Sequence, residues 1–240
     1  MEDDSGLWLA KFPSKADRWN NAAIEAGMLS LASQCDIRTS PFRLENVGGA
    51  PVLLVQRFDR HKTGASGKTE YFRSRMVSAL TVLGGDETAD RERWSYHDLS
   101  DEIRRWSEKP AIDRAELFRR MILNALATNN DDHPRNHALI ANTNKWRLSP
   151  VYDITPSPVH SHERDLAMTS GIQSGRRATR SNLLSGCARF GLTVEDASAT
   201  IDRLRAIVAK NWEAAVRHHG ATQADYTAIQ PAFAIPGFDD

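Results

Sequence analysis

The feature that most limits the fold is an amphipathic stretch, "IDRAELFRRMILNALATN" at 112–129, which runs without a break into "TNNDDHPRNHALI" at 128–140. Leu117, Met121 and Ile122, then Ala125 and Leu126, recur at the three- and four-residue spacing of one helix face. The stretch therefore predicts a helix with one side in a core. Asp113, followed three residues later by Glu116, resembles a capping box and places the helix start there. This helix delivers the chain into a segment holding two Asp, three Asn, two His, one Pro and one Arg. A surface turn needs polar residues, but seldom so dense a mixture of acids, amides and imidazoles.

Around this centre the pattern is mixed. "LWLAKF" at 7–12 predicts a short strand ended by Pro13, and Ile24, Met28 and Leu31 predict a helix over 18–34. "PVLLVQRF" at 51–58 begins almost wholly apolar, as a buried strand does. "HKTGASGKTEY" at 61–71 is expected to be a polar loop or hairpin connection, and 79–110 yields no clear element. "NTNKWRLSPVYDI" at 142–154 predicts a hairpin turn and a strand ending at Asp153. An Arg-rich loop follows at 170–182, then a helix over 194–218 with Thr193 as cap and Ile201, Leu204, Val208, Trp212 and Ala215 on one face. The end, 230–240, is expected to be irregular. The order is that of an α+β, two-lobed protein-kinase-like fold, with a strand-containing N-lobe over 1–65, a mainly helical C-lobe over 66–240, and a cleft between them.

Composition narrows the function classes. With 40% hydrophobic residues in 240, the chain can bury a substantial core. A formal net charge of zero gives no whole-chain attraction to nucleic acid or membrane, so neither is expected as a partner. Cys35 and Cys187 lack metal-ligand spacing and suit buried thiols in a reducing compartment. The start, "MEDDSGLWLAKF", shows no basic segment leading into an apolar one, and no apolar run approaches the ~20 residues of a membrane span. A cytoplasmic protein is the expectation.

The spacing within the polar segment carries chemistry. Asp131 and Asn136 stand five apart, the Asp-to-Asn spacing of the protein-kinase catalytic loop, where the Asp accepts a substrate hydroxyl proton and the Asn holds Mg²⁺. Asp153 follows seventeen residues after Asn136, so a hairpin between them would return it beside the Asn as a second oxygen ligand. Lys11, on its expected strand, suits a contact to ATP phosphates. "VQRFDR" at 55–60 ends the second strand, where free backbone groups and Phe58 could meet adenine.

"KFP", "QRFDR", "NDDHPRN" and "SPVYDI" occur in the order and spacing of the HipA family, bacterial serine/threonine kinases that act as toxins of toxin–antitoxin pairs. The resemblance runs from about residue 6 to 215. It implies a kinase-like fold using ATP and Mg²⁺, with Asp131 as catalytic base and Asn136 and Asp153 as metal ligands. It also implies that Lys11 touches the phosphates, that Gln56, Arg57 and Phe58 frame the adenine, and that His133, Pro134, Arg135 and Tyr152 line the nucleotide pocket. Implied partners are a protein substrate such as an aminoacyl-tRNA synthetase and a HipB-like DNA-binding antitoxin. Gln56 replaces the family's usual Glu, which matters little if the adenine contact is through backbone. The family's glycine-rich phosphate loop, with its autophosphorylated serine, lies upstream of the Lys11 position, and this chain begins ten residues before Lys11. The expectations that follow are weakened ATP binding, no autophosphorylation at that serine, and a truncated form or half-kinase completed by a partner chain, with the edge of "LWLAKF" open to dimerisation.

Other assignments compete. Glu25 is either an ion-pair partner for Lys11 or an exposed helix residue. His133 and His137, with His160 and His162, suggest a metal site, but Pro134 interrupts the helix such a pair needs and no Glu base stands at the right spacing. Arg176, Arg177 and Arg180 form a basic cluster, read as a solvated loop. His218 and His219 suit a helix C-terminus.

Overall fold

The apolar run at 52–54 becomes the buried centre of a sheet. In the computed structural model, which describes residues 1–63, 70–86, 91–158 and 161–240, four antiparallel strands run β1 (Glu2–Asp3), β2 (Gly6–Lys11), β3 (Phe42–Val47) and β4 (Ala50–Gln56). Their spatial order is β1-β2-β4-β3. Val52, Leu53 and Leu54 on β4 are wholly buried. Gly48 and Gly49 take the left-handed conformation, with φ of 61° and 85°, so β3 can turn directly back into β4. β1 covers only the start of β2, pairing Glu2 with Leu7 and Asp3 with Gly6.

Between β2 and β3 lies α1 (Asn21–Gln34), whose first turn is capped by the Asn20 side chain accepting from the Ala23 amide. Ten of its residues are buried, because the sheet covers one side and α6 (Val194–His218) the other. Gly27 permits this approach: a Cβ there would stand 2.7 Å from the Cα of Val216.

The remainder is mostly helical. β5 (Arg60–Thr63) and β6 (Glu70–Arg73) pair as the arms of a hairpin, and its connection, 64–69, lies outside the described residues. β7 (Arg75–Ser78), β8 (Ala138–Ala141) and β9 (Arg147–Leu148) form a second antiparallel sheet. The other helices of this part are α2 (Ala79–Val82), α3 (Tyr96–Trp106), α4 (Pro110–Leu126), and α5 (Arg180–Ser185) and α7 (Gln223–Ile229), which pack on α6. One buried cluster joins α1, Leu53, α3, α4 and α6, so sheet and helices share a core. Cys35 and Cys187 are buried free thiols, and burial pushes the Cys35 thiol up to about 12. Among the described residues no helix is long and apolar enough to cross a membrane.

Three expectations need correction. Asp113 and Glu116 do not cap α4. The helix starts at Pro110, whose fixed φ and missing N–H suit a first turn; Asp113 closes that turn and Glu116 lies in the next, both buried and neither at the cap. The stretch without a clear element, 79–110, contains α2 and α3, and α3 is capped by Ser95 accepting from the amides of His97 and Asp98. The end is not wholly irregular: α7 leads into a 3₁₀ turn at Gln230–Phe233, Phe233 stacks on Trp212 at 4.3 Å, and Phe238 is 1% exposed.

Candidate active site

Lys11, the last residue of β2, reaches two carboxylates. Its Nζ lies 2.6 Å from Glu25 Oε1 on α1 and 3.3 Å from Asp153 Oδ1. Burial pulls the Lys11 ammonium down, but Glu25 and Asp153 outweigh it and the net direction is up. Burial pushes Glu25 up as well; Lys11 opposes this and the charge of Asp153 adds to it. At 2.6 Å an ionised pair is the consistent state, and the upward push on Glu25 reflects its burial and its acidic neighbour. Asp153 has φ 60°, a costly conformation for a side-chain-bearing residue, and its side chain stays half exposed. The Val151 amide donates to Arg38 O at 2.8 Å and so fixes the chain just before it.

These three groups form the charged end of a cleft of about 380 Å³. Its other walls are mainly apolar, from Leu9, Leu29, Val55, Phe58, Met76 and Tyr152, with Gln56, Arg57 and Asp59 at the turn after β4. That volume falls in the range of roughly 300–1,000 Å³ usual for small-molecule sites. Phe58 and Tyr152 stack with centroids 6.0 Å apart. The amides of Gln56 and Arg57 are used by the carbonyls of Pro41 and Leu7, whereas the Phe58 amide meets no acceptor among the described residues. Gln56 donates its side-chain N–H to Ser5 O at 2.7 Å. Arg57 forks onto Asp59 at 2.9 and 2.8 Å, so its guanidinium is committed within the turn. A second, more polar cleft of about 560 Å³ shares Lys11, Glu25 and Asp153 and extends past Phe12, Trp19, Asn130 and Pro156.

The segment 131–137 follows α4. Asp131 is exposed, and its carboxylate makes no bond among the described residues. Asn136 is 4% exposed; its Nδ2 donates to Asp131 O at 3.1 Å, which leaves Oδ1 without a donor among the described residues. His133 stands edge-on to Trp94 at 6.2 Å, Pro134 is buried and Arg135 is exposed. None of the residues at 131–136 lines the 380 Å³ cleft. What ties this loop to it is Tyr152, whose hydroxyl donates to Arg135 O at 2.7 Å. That bond joins the residues just before Asn136 and Asp153. The pair offers an amide and a carboxylate oxygen, a donor set that fits a hard cation such as Mg²⁺.

Two buried networks that the sequence did not suggest hold these segments. Under β9, Asp113 takes both arms of Arg147 at 2.9 and 2.8 Å, the Leu148 amide at 3.0 Å and Ser107 at 2.6 Å. Burial pushes the Asp113 carboxyl up, Arg147 and its other donors prevail, and the net is below the usual carboxylate value. Glu116 bridges Arg38 and the buried Arg120, which donates onward to Ser149 O at 2.5 Å. Inside the loop, Asp132 accepts from the Tyr96 hydroxyl and pairs with His137 Nε2 at 2.8 Å. Burial pushes the Asp132 carboxyl up, but His137 and Tyr96 bring it below its usual value.

Two alternatives lose ground. His137 faces Asp132 instead of an open site, His160 lies outside the described residues, and no group of three possible metal ligands occurs among those described. Arg176, Arg177 and Arg180 each meet a carboxylate: Glu92, Glu163 with Asp165, and Asp202.

A sheet and a helical part meeting at a Lys–Glu–Asp centre define a kinase-like fold. Residues 1–212 match the HipA-like C-terminal domain, and the chain belongs to that family. Among solved structures, HipA in the HipA, HipB and operator DNA complex of Shewanella oneidensis superposes with a TM-score of 0.74 at 16% identity, over 97% of this chain and 57% of that one. The Helicobacter pylori proinflammatory kinase CtkA gives 0.57 at 12% identity, over 97% and 91%. A Sinorhizobium fredii protein named "Putative kinase Y4mE" is 24% identical over 71% of this chain. The chain spans between 32% and 53% of the length of the curated relatives it matches.

Proposed function

We propose that this chain is the kinase core of a HipA-like serine/threonine kinase of a toxin–antitoxin system, acting in the cytoplasm. Residues 1–65 contribute the nucleotide-binding strands, and 66–240 the catalytic loop and metal site. The observation that carries this reading is the convergence of Lys11, Glu25 and Asp153 at the charged end of an apolar cleft, with the Asp131–Asn136 loop tied to it through Tyr152 and Arg135. Adenine fits the apolar end, against Phe58 and Tyr152, and the phosphates then fall toward Lys11.

Mg²⁺, when bound, offsets charge on the phosphates. Asn136 and Asp153 are the residues that would hold it. Glu25 keeps Lys11 protonated and aimed. Asp131, exposed and uncommitted, orients a Ser or Thr hydroxyl and accepts its proton. A translation-related protein such as an aminoacyl-tRNA synthetase is the proposed acceptor, and a HipB-like DNA-binding protein the proposed antitoxin.

The test is to incubate the chain with γ-labelled ATP, Mg²⁺ and a panel of purified aminoacyl-tRNA synthetases. We expect phosphoserine or phosphothreonine in one of them, reduced about 100-fold or more by Asp131→Asn. Equal labelling with the variant would contradict the assignment of Asp131. A second reading, a catalytically impaired binding module or half of an enzyme completed by another chain, is favoured by the edge of β2. β1 pairs with its first two residues and Met1 with Trp8, so the open edge begins at Leu9, which is 49% exposed. Co-purification with a second chain that restores labelling would support it.

A further inference from the structure

Asp131 and Asn136 stand five residues apart, and so do Asp132 and His137. The second pair is the first moved one step along the chain. Asp132 is 4% exposed and His137 1%, and their side chains meet at 2.8 Å. We propose that Asp132 and His137 form a buried strut that sets the separation between Asp131 and Asn136; this rests on the kinase reading above.

Each end of the strut is anchored in a different part of the helical scaffold. Asp132 accepts from the hydroxyl of Tyr96, at the start of α3. Tyr96 Oη in turn accepts from Asn124 Nδ2 on α4 at 3.1 Å, and Asn124 Oδ1 accepts from Asn129 Nδ2 at 3.0 Å. At the other end, the His137 carbonyl accepts from the Ala79 amide at 2.8 Å, the first residue of α2. Within the loop, the Asp131 carbonyl accepts from the His133 amide at 2.9 Å and from Asn136 Nδ2 at 3.1 Å, closing it into a ring. A buried acid–imidazole pair is weak grounds for stability, because packed apolar residues often serve as well. Its use here is geometric: it fixes two groups whose neighbours must address one metal and one hydroxyl. Asp132, His137 and Tyr96 are thus positioning residues, acting through Asp131 and Asn136.

The test separates metal binding from nucleotide binding. Mn²⁺ binding in the presence of ADP is followed by electron paramagnetic resonance, and metal-free ADP binding by calorimetry. The full chain is compared with Asp132→Asn and with Tyr96→Phe, the latter removing the two hydrogen bonds of the Tyr96 hydroxyl, to Asp132 and from Asn124, while leaving Asp132 its bond to His137. We expect Asp132→Asn to weaken Mn²⁺ binding about tenfold, and Tyr96→Phe in the same direction by less, while metal-free ADP affinity is unchanged. Should Asp132→Asn fail to fold, Tyr96→Phe carries the test. Folded variants with the Mn²⁺ affinity of the parent would overturn the strut. A parent chain that binds no Mn²⁺ with ADP would overturn the kinase reading and the strut together, so the two failures are distinguishable.

Discussion

Two clusters of acids and bases lie on either side of residues 148–153. Around Asp113, every carboxylate oxygen has a donor: Arg147, Arg38, Ser107 and the Leu148 amide, all on an acid that is 0% exposed. Around Lys11, two carboxylates share one ammonium, Asp153 remains half exposed with φ 60°, and the group opens into two clefts. The first cluster is closed and holds β9 to α4. The second is left open, and its spare charge faces space large enough for a ligand. Residue types alone do not distinguish the two; the accounting of donors and acceptors does.

The difference predicts opposite responses to mutation. Asp113→Ala strands Arg147 and the Leu148 amide, while Arg38 keeps Glu116, and is expected to cost about 3–5 kcal/mol, read as a lowered midpoint in urea unfolding. The pH dependence should change too. The folded Asp113 carboxyl holds its proton less tightly than the unfolded one, so its contribution is complete above the ordinary value of 3.8 and is lost as pH falls through the lower folded value. Asp113→Asn is expected to flatten that part of an acid unfolding curve. A curve with the parent's slope below pH 4 would contradict this.

Next in size is Gly27→Ala. Its Cβ would meet the backbone of Val216 at 2.7 Å, so α1 and α6 must part, at a cost of about 1–3 kcal/mol. Because α1 carries Glu25, the variant should also weaken nucleotide binding; unfolding and binding measured on one preparation would show both. Smallest in stability is Lys11→Met, expected to cost about 1–2 kcal/mol: it leaves the buried Glu25 without its ammonium, and that carboxyl, already pushed up by burial, takes a proton instead of standing as an unpaired charge. Yet it should lose roughly tenfold or more in nucleotide affinity. A Lys11 variant that unfolded like Asp113→Ala would erase the contrast between the two clusters.

Local pattern made much of the scaffold legible. The apolar run at 52–54 is the buried strand, and the helix over 194–218 with its Thr193 cap appears as expected. Lys11 and Asp153 were singled out, and the structure brings them together across 142 residues. The partners of Asp113 were not legible, because Arg147 and Arg38 lie 34 and 75 residues away and no periodicity records such a pairing. Local rules gave the wrong answer there, offering a capping box where Pro110 had already begun the helix. Arg57 shows the reverse case: its partner is two residues away, but the forked bond to Asp59 depends on the turn after β4. Asp132 and His137 had a visible spacing, yet only their burial and the approach of Tyr96 from α3 give that spacing meaning.

The central claim is that the open cluster is a Mg²⁺–nucleotide site. Calorimetric titration of ATP with Mg²⁺ into the chain, beside its Asp153→Asn variant, tests it most directly. The parent is expected to bind in a Mg²⁺-dependent way that the variant loses while remaining as stably folded. Binding that is indifferent to Mg²⁺, or retained in full by Asp153→Asn, would contradict it.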